Sequence, residues 1–288
     1  MSQQPRALKT AIGRTKYTEP LFTGAVASSS LRLAFEPFET ISRAFAPMVR
    51  NQAFDVSELA IATFLQARAA EKPIVLLPIV LAARFQEAAL LCLKDSPLRG
   101  PSDLRGRRIG VRAYSQTTGV WLRGVLEDVH GVRPQDVQWL TFEGAHVAEY
   151  CDPPWVKRAA AGQDLLKLLR AGELDAVIVG NDVPDSEDLR QVFPDAKAAG
   201  EAFFERHGFI PVNHLLTVRR DIAEREPAVV AELLRLFREL KAAHPAEARD
   251  PRPIGRKAID PAIALAVRYC LSQGLLTRPL SLDEVWAR

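Results

Sequence analysis

With 288 residues, 48% of them hydrophobic, the chain is long enough to bury a full core and too apolar to be disordered. Its 38 Lys plus Arg stand against 35 Asp plus Glu, and a formal net charge of +3 is too small to imply nucleic acid. The basic residues are also scattered, as at Arg43, Arg84 and Arg123, with no stripe of interleaved aromatics, so no nucleic-acid partner is expected.

The N-terminal stretch carries Arg6, Lys9, Arg14 and Lys16 and no apolar segment of signal-peptide length, so the expected location is cytoplasmic. The longest apolar approach, 74–83, is strand-sized and contains Pro78, and no membrane partner is expected. Cys92, Cys151 and Cys270 lie far apart, without a C-x-x-C pair or a His cluster at metal-ligand spacing. They are expected to be reduced and structural, with no metal site.

Residues 7–12 and 31–35 read as short strands on either side of a helical segment at 18–24. Phe45 and Val49, four apart, predict a helix over 41–49, and Phe54, Asp55 and Val56 a third strand. Leu59, Thr63 and Ala67 share a helical face, which predicts a helix over 59–70 stopped by Pro73. Buried strands follow at 74–80 and 88–93, the second a continuous apolar run. Ser96-Pro97 and Gly100-Pro101 then mark a linker.

The stretch 98–126 organises the rest. A short β run at 108–111 leads through a small polar turn, 115–119, to Val120, Trp121, Val125 and Leu126 near helical spacing. Ser115 or Thr117 is expected to cap the first turn. Free backbone N–H groups and the positive end of the helix dipole at such a start suit a carboxylate, phosphate or sulfonate and need no cofactor.

A strand at 137–141, a helix at 165–169 with Gly172 as its C-terminal signal, and a strand at 174–179 come next. After Asn181 the pattern breaks into a polar loop, 182–188, and a segment rich in aromatics and charge, 193–207. A strand at 215–218, an amphipathic helix over 227–243 and a helix over 261–271 complete the chain. Two sets of alternating strands and helices call for α/β architecture, with parallel or mixed sheets covered on both faces.

Five motifs carry a resemblance that covers nearly the whole chain. They are Phe54-Asp55-Val56-Ser57-Glu58-Leu59; Asp103-Leu104-Arg105-Gly106-Arg107-Arg108-Ile109-Gly110-Val111; Gly172-Glu173-Leu174-Asp175-Ala176; Pro211-Val212-Asn213-His214-Leu215 with Val218-Arg219-Arg220-Asp221; and Gln273-Gly274-Leu275-Leu276 with Leu280 and Glu284. The chain resembles the type II periplasmic-binding-protein fold and, within it, the family named after 4,5-dihydroxyphthalate decarboxylase. The resemblance implies an α/β fold of two lobes, each a mixed sheet flanked by helices, with a ligand cleft between them. Residues 1–94 and 209–288 would form the first lobe and 95–208 the second.

The implied activity is decarboxylation of a hydroxylated aromatic carboxylate, 4,5-dihydroxyphthalate (to protocatechuate) or a close analogue, without an organic cofactor; divalent-metal assistance is left open. The implied partner is a small anionic aromatic carboxylate, and homo-oligomer formation is left open. The alternatives are a solute-binding protein of the ABC-transporter type, an inactive binder of an anionic aromatic, or another enzyme on the same scaffold, such as one in thiamine or menaquinone precursor synthesis. The family carries Arg-x-Phe-Arg-His-Ser at the first crossing, where this chain has Arg84-Phe85-Gln86-Glu87-Ala88. An Asp-Tyr-Asp type motif near the N-terminus is replaced by Arg14-Thr15-Lys16-Tyr17.

Removing CO2 from an aromatic acid requires protonation of the ring carbon that bears the carboxylate, and cations to hold the acid groups. His214, expected just before a strand at the return crossing, is the first candidate acid; a histidine bonding across the hinge is the other reading. Glu87 stands where the family histidine is missing, either as a desolvated proton donor or as an exposed hinge carboxylate. Arg84, then Arg14 and Arg112, are candidate carboxylate clamps. Ser57 and Glu58, at a strand's C-terminal end, are candidate ligand contacts, with Ser57 alternatively a helix cap. Tyr114, Ser115, Gln116, Thr117 and Thr118 complete the candidate binding set, and Trp121 and Trp155 either wall the pocket or pack in the core.

Overall fold

The computed structural model describes residues 4–180 and 184–288, so the polar loop expected from residue 182 lies partly outside the described residues. In chain order the strands are β1 (Arg6–Ala11), β2 (Leu31–Phe35), β3 (Val56–Ala60), β4 (Ile74–Ala83), β5 (Leu90–Leu93), β6 (Arg108–Val111), β7 (Gln138–Thr141), β8 (Val156–Arg158), β9 (Ala176–Ile178), β10 (Leu189–Gln191) and β11 (Val212–Arg219). The helices are α1 (Glu19–Thr23), α2 (Phe45–Asn51), α3 (Ile61–Ala69), α4 (Thr117–His130), α5 (Leu165–Arg170), α6 (Ala196–His207), α7 (Arg220–Arg225), α8 (Pro227–Ala242), α9 (Arg256–Ser272) and α10 (Leu282–Trp286). The chain divides into two compact units. One is Met1–Ala83 with Val212–Ala264 and Leu280–Arg288; the other is Arg84–Pro211 with Leu265–Pro279.

The first unit holds a five-stranded sheet in the order β2-β1-β3-β11-β4. β1 runs parallel to β2 and β3, and β11 runs antiparallel to both β3 and β4. Val75, Leu77, Ile79 and Leu81 alternate along β4 and reach one core cluster, which α8 covers with Val230, Leu233, Phe237 and Leu240. Burying side chains such as Leu233, Phe237 and Leu240 stabilises the unit by about 1.5–3 kcal/mol each. The amphipathic spacing of α8 is therefore the helix's attachment to the sheet.

The second unit holds a six-stranded sheet, β10-β5-β9-β6-β7-β8. β9, β6, β7 and β8 run parallel, while β5 and β10 are antiparallel additions at one edge. The motif residues Arg108 and Asp175 are structural here. Asp175 Oδ2 accepts the Arg108 N–H at 2.8 Å, and the Arg108 guanidinium forks onto both carboxylate oxygens at 3.0 and 2.9 Å, fastening β6 to the start of β9. Arg108 holds the Asp175 carboxyl below the usual carboxylate range. Gly172, at φ 72°, takes the left-handed conformation that ends α5 and turns the chain into β9.

Several expectations are corrected. Residues 84–94, placed by sequence in the first lobe, belong to the second unit because β5 pairs with β9 and β10. Residues 265–279 join it as well. β3 extends through Ala60, since β11 pairs along its whole length, and the helix starts at Ile61 instead of Leu59. β11 begins at Val212, so His214 lies inside the strand. The segment 193–207 contains α6, whose helical signal was local: Asp195 caps it by accepting the Ala198 N–H at 2.9 Å. β8 and β10 are three-residue edge strands without a readable pattern. α9 starts at Arg256 and carries Pro261 inside it. Cys92, Cys151 and Cys270 are free.

Gly124 of α4 is required by the ring of Tyr269: a Cβ built there meets ring carbons at 2.1–2.4 Å. Gly124→Ala is expected to cost about 1–3 kcal/mol, more than the roughly 1 kcal/mol that Ala gains in helix propensity. A fall in Tm or in the denaturant midpoint checks it.

Candidate functional site

Two groups of candidate residues come together, one in each unit. In the first, Glu58 on β3 and His214 on β11 share a face of the sheet, because His214 registers with Ala60 and Leu216 with Glu58. That leaves the two side chains as diagonal neighbours, and Nδ1 of His214 lies 2.6 Å from Oε1 of Glu58. Glu58 Oε2 accepts the backbone N–H of Gly13 at 2.9 Å, just past β1. With Glu58 Oε2 already accepting from Gly13, an ionised Glu58 accepts from Nδ1 of His214 on Oε1, which leaves Nε2 as the ring's other nitrogen. The Phe45 ring stands edge-on to the imidazole at 5.2 Å, and both members of the pair are largely buried. The pair sits near the carboxyl ends of the parallel strands β1 and β3, where open α/β sheets bind ligands.

The second group surrounds the start of α4. The N-cap is Gln116, and it makes no side-chain capping bond, so the expected caps at Ser115 and Thr117 are corrected. Thr117 is already the first helical residue, because the turn from β6 is closed by the Gln116 N–H on the Ala113 carbonyl. Arg84 Nη2 donates to Thr118 Oγ1 at 3.1 Å and to the Gly180 carbonyl at 3.0 Å, tying the first crossing to α4 and to the end of β9. A Cβ at Gly180 would meet Gln116 Nε2 at 3.3 Å, so Arg84, Gln116, Thr118 and Gly180 form one neighbourhood. Here too the residues follow the carboxyl ends of parallel strands, β6 and β9.

Other candidates lie elsewhere. Arg14 is exposed and forks onto Glu19 at 2.7 and 2.8 Å, so its donors are committed to a surface pair. Arg112 faces Glu143. Ser57 is fully buried on the sheet face opposite Glu58, with its hydroxyl on the Glu58 carbonyl; it caps no helix. Tyr114 is fully buried, and its hydroxyl accepts from Trp155 Nε1 at 3.1 Å, which makes it a packing residue of the second unit. Trp121 packs edge-on against Phe203 and Tyr269 in that unit's core. Gly13, Phe45 and Arg123 join these groups without having been named as site residues by sequence, and Gln273 of the late Gln273-Gly274 motif partners Arg123. Among the described residues no group of three or more His, Cys, Asp or Glu is placed to hold a metal ion. No helix of the described residues is long and apolar enough to cross a membrane.

The fold defines the class. The alkanesulfonate-binding protein SsuA from Xanthomonas axonopodis pv. citri, bound to MOPS, superposes with a TM-score of 0.65 over 99% of both chains at 14% identity. The chain has the two-lobed type II periplasmic-binding-protein-like fold. No protein-family model matches it. A 4,5-dihydroxyphthalate decarboxylase from Comamonas testosteroni is 29% identical over 257 residues, 82% of this chain and 74% of that protein. One from Pseudomonas putida is 30% identical over 182 residues, 59% of this chain and 69% of that protein. The chain belongs to the 4,5-dihydroxyphthalate decarboxylase family.

Glu87, one of the two candidate acids, is buried, not an exposed hinge carboxylate. It begins the short 3-10 turn Glu87–Ala89 ahead of β5, and its Oε2 has no hydrogen-bond partner. Desolvation raises its pKa above the ordinary 4.5, and backbone N–H groups of Glu87 and Gln86 offset this only in part. The folded chain therefore holds this proton more tightly than the unfolded chain, and stability drains away as pH rises from the ordinary carboxylate range through the folded value. Glu87→Gln removes that loss. The Tm advantage of the variant over the parent should grow as pH rises above the ordinary carboxylate range, as measured by thermal denaturation in matched buffers. A pH-independent difference would refute it.

Proposed function

We propose that the chain is a decarboxylase of a hydroxylated aromatic carboxylate, 4,5-dihydroxyphthalate or a close analogue. Family membership supports the reaction class, and the observation that carries the reading is the oriented Glu58–His214 pair. His214 Nε2–H protonates the ring carbon bearing one carboxylate, forming a C–H bond and interrupting aromaticity. The hydroxyl para to that carbon donates electron density to the intermediate. The C–C bond to the carboxylate then breaks, its electron pair restores the ring, CO2 leaves, and solvent reprotonates His214. Glu58 keeps the imidazole in the Nδ1–H tautomer and balances the imidazolium. In the second unit, Arg84 and the N–H groups at the start of α4 are suited to hold a carboxylate.

A solute-binding protein is the second reading, and likeness in fold to a sulfonate-binding protein favours it. In a pure binder, however, a carboxylate that fixes one imidazole tautomer has no chemical task. A cytoplasmic location is part of the enzyme reading, in contrast to another fold neighbour, the periplasmic aliphatic sulphonate binding protein SsuA from Escherichia coli.

Purified protein incubated with 4,5-dihydroxyphthalate should release CO2 and protocatechuate in equal amounts. His214→Gln should lower kcat by about 10²–10⁴-fold while KM stays within a few-fold, and Glu58→Gln should lower it less. Tight binding of aromatic acids without any turnover would favour the binder, and full activity in His214→Gln would remove the assigned acid.

A further inference from the structure

Arg123 is buried in the middle of α4, where every residue from Thr117 to Leu126 is buried. Its side chain runs back toward the start of the helix, as long helical side chains do. Nε donates to Gln273 Oε1 at 2.8 Å, Nη2 donates to the Tyr114 carbonyl, and the guanidinium lies 3.9 Å from the Tyr114 ring centroid. Nη1 rests against the first turn: a Cβ at Gly119 would meet it at 2.9 Å. That nitrogen is buried and has no hydrogen-bond partner. Among the described residues no carboxylate forms an ion pair with Arg123, and Asp152 is engaged by Arg158 at 2.9 Å. Burial lowers the guanidinium's pKa, but an arginine stays charged at any working pH. A buried cation without a counter-ion thus sits beside the positive end of the α4 dipole, and both contributions wait for the same negative charge.

We propose that Arg123 is a built-in counter-charge for a carboxylate bound at the first turn of α4, a positioning residue that acts through the Tyr114–Ser115 backbone and its own field. This rests on the reading of the α4 start as the anion holder. The test is calorimetric titration of phthalate, and of phthalamide as an uncharged probe of similar shape, into the parent protein, Arg123→Met and Arg123→Lys, with the Tm of each unliganded protein.

Arg123→Met should lose about tenfold or more in phthalate affinity while phthalamide affinity stays within about twofold. Its unliganded Tm should hold or rise, because an unpaired buried charge is gone. Lysine should restore most of the phthalate affinity. Equal losses for both probes together with a lower Tm would make Arg123 a structural residue and overturn the inference, as would unchanged phthalate affinity in Arg123→Met. Should the methionine variant fail to fold, Arg123→Gln carries the same comparison against lysine. Phthalate that does not bind the parent protein sinks the anion site and this inference together. Charge-dependent binding without decarboxylation removes only the reaction.

Discussion

The insertion of β11 between β3 and β4 is the constraint on which the first unit depends. The chain leaves this sheet at Ala83 and returns at Val212 to run antiparallel to both neighbours. Register then does the chemistry's work, since Val218 opposes Val56 and Leu216 opposes Glu58, leaving His214 at the end of the same face. Val56, Leu216 and Val218 sink into the core, and the face turns polar only where Glu58 and His214 meet. A slip of one residue in β11 would turn His214 to the opposite face with Ser57 and Leu59. Arg219 reinforces the register from the other end, with its N–H on the Asp55 carbonyl and its guanidinium 3.4 Å from the Asp55 carboxylate.

This explains why two motifs distant in sequence carry the family resemblance together. Phe54-Asp55-Val56-Ser57-Glu58-Leu59 and the late His214 with Arg219-Arg220-Asp221 are two halves of one strand pair. The other motifs have different work: Arg108 and Asp175 fasten neighbouring strands of the second sheet, and Gly172 turns the chain into one of them.

Much of the architecture was legible because buried strands and amphipathic helices leave periodic marks. The α8 stripe and the apolar runs of β4 and β5 are examples. The sites were legible only residue by residue. Glu58 and His214 were both named, but their pairing depends on a register set across 156 positions, which no local pattern encodes. Ser57 was misread for a related reason: a strand end and a helix cap look alike until the partner strand is known. Arg14 was taken as a clamp on residue type alone, and Glu19 claims it in the fold. Arg123 did leave a signal. Val120, Trp121, Leu122, Val125 and Leu126 make α4 apolar nearly all round, and an arginine in such a helix has no wet face to occupy.

The departure at the first crossing bears on which group moves the proton. Where the family resemblance implies a histidine, this chain has Glu87, and a carboxyl in that position titrates usefully only if its environment tunes it. Burial does raise it, but the same burial removes it from solvent, and a donor that hands its proton to a substrate must recover one each turnover. Glu87 is therefore badly placed to serve as a recycling acid. His214 has what Glu87 lacks: a carboxylate partner, with Glu58 Oε1 2.6 Å from its Nδ1. At the same crossing Arg84 is committed to Thr118 and to the Gly180 carbonyl, within the second unit.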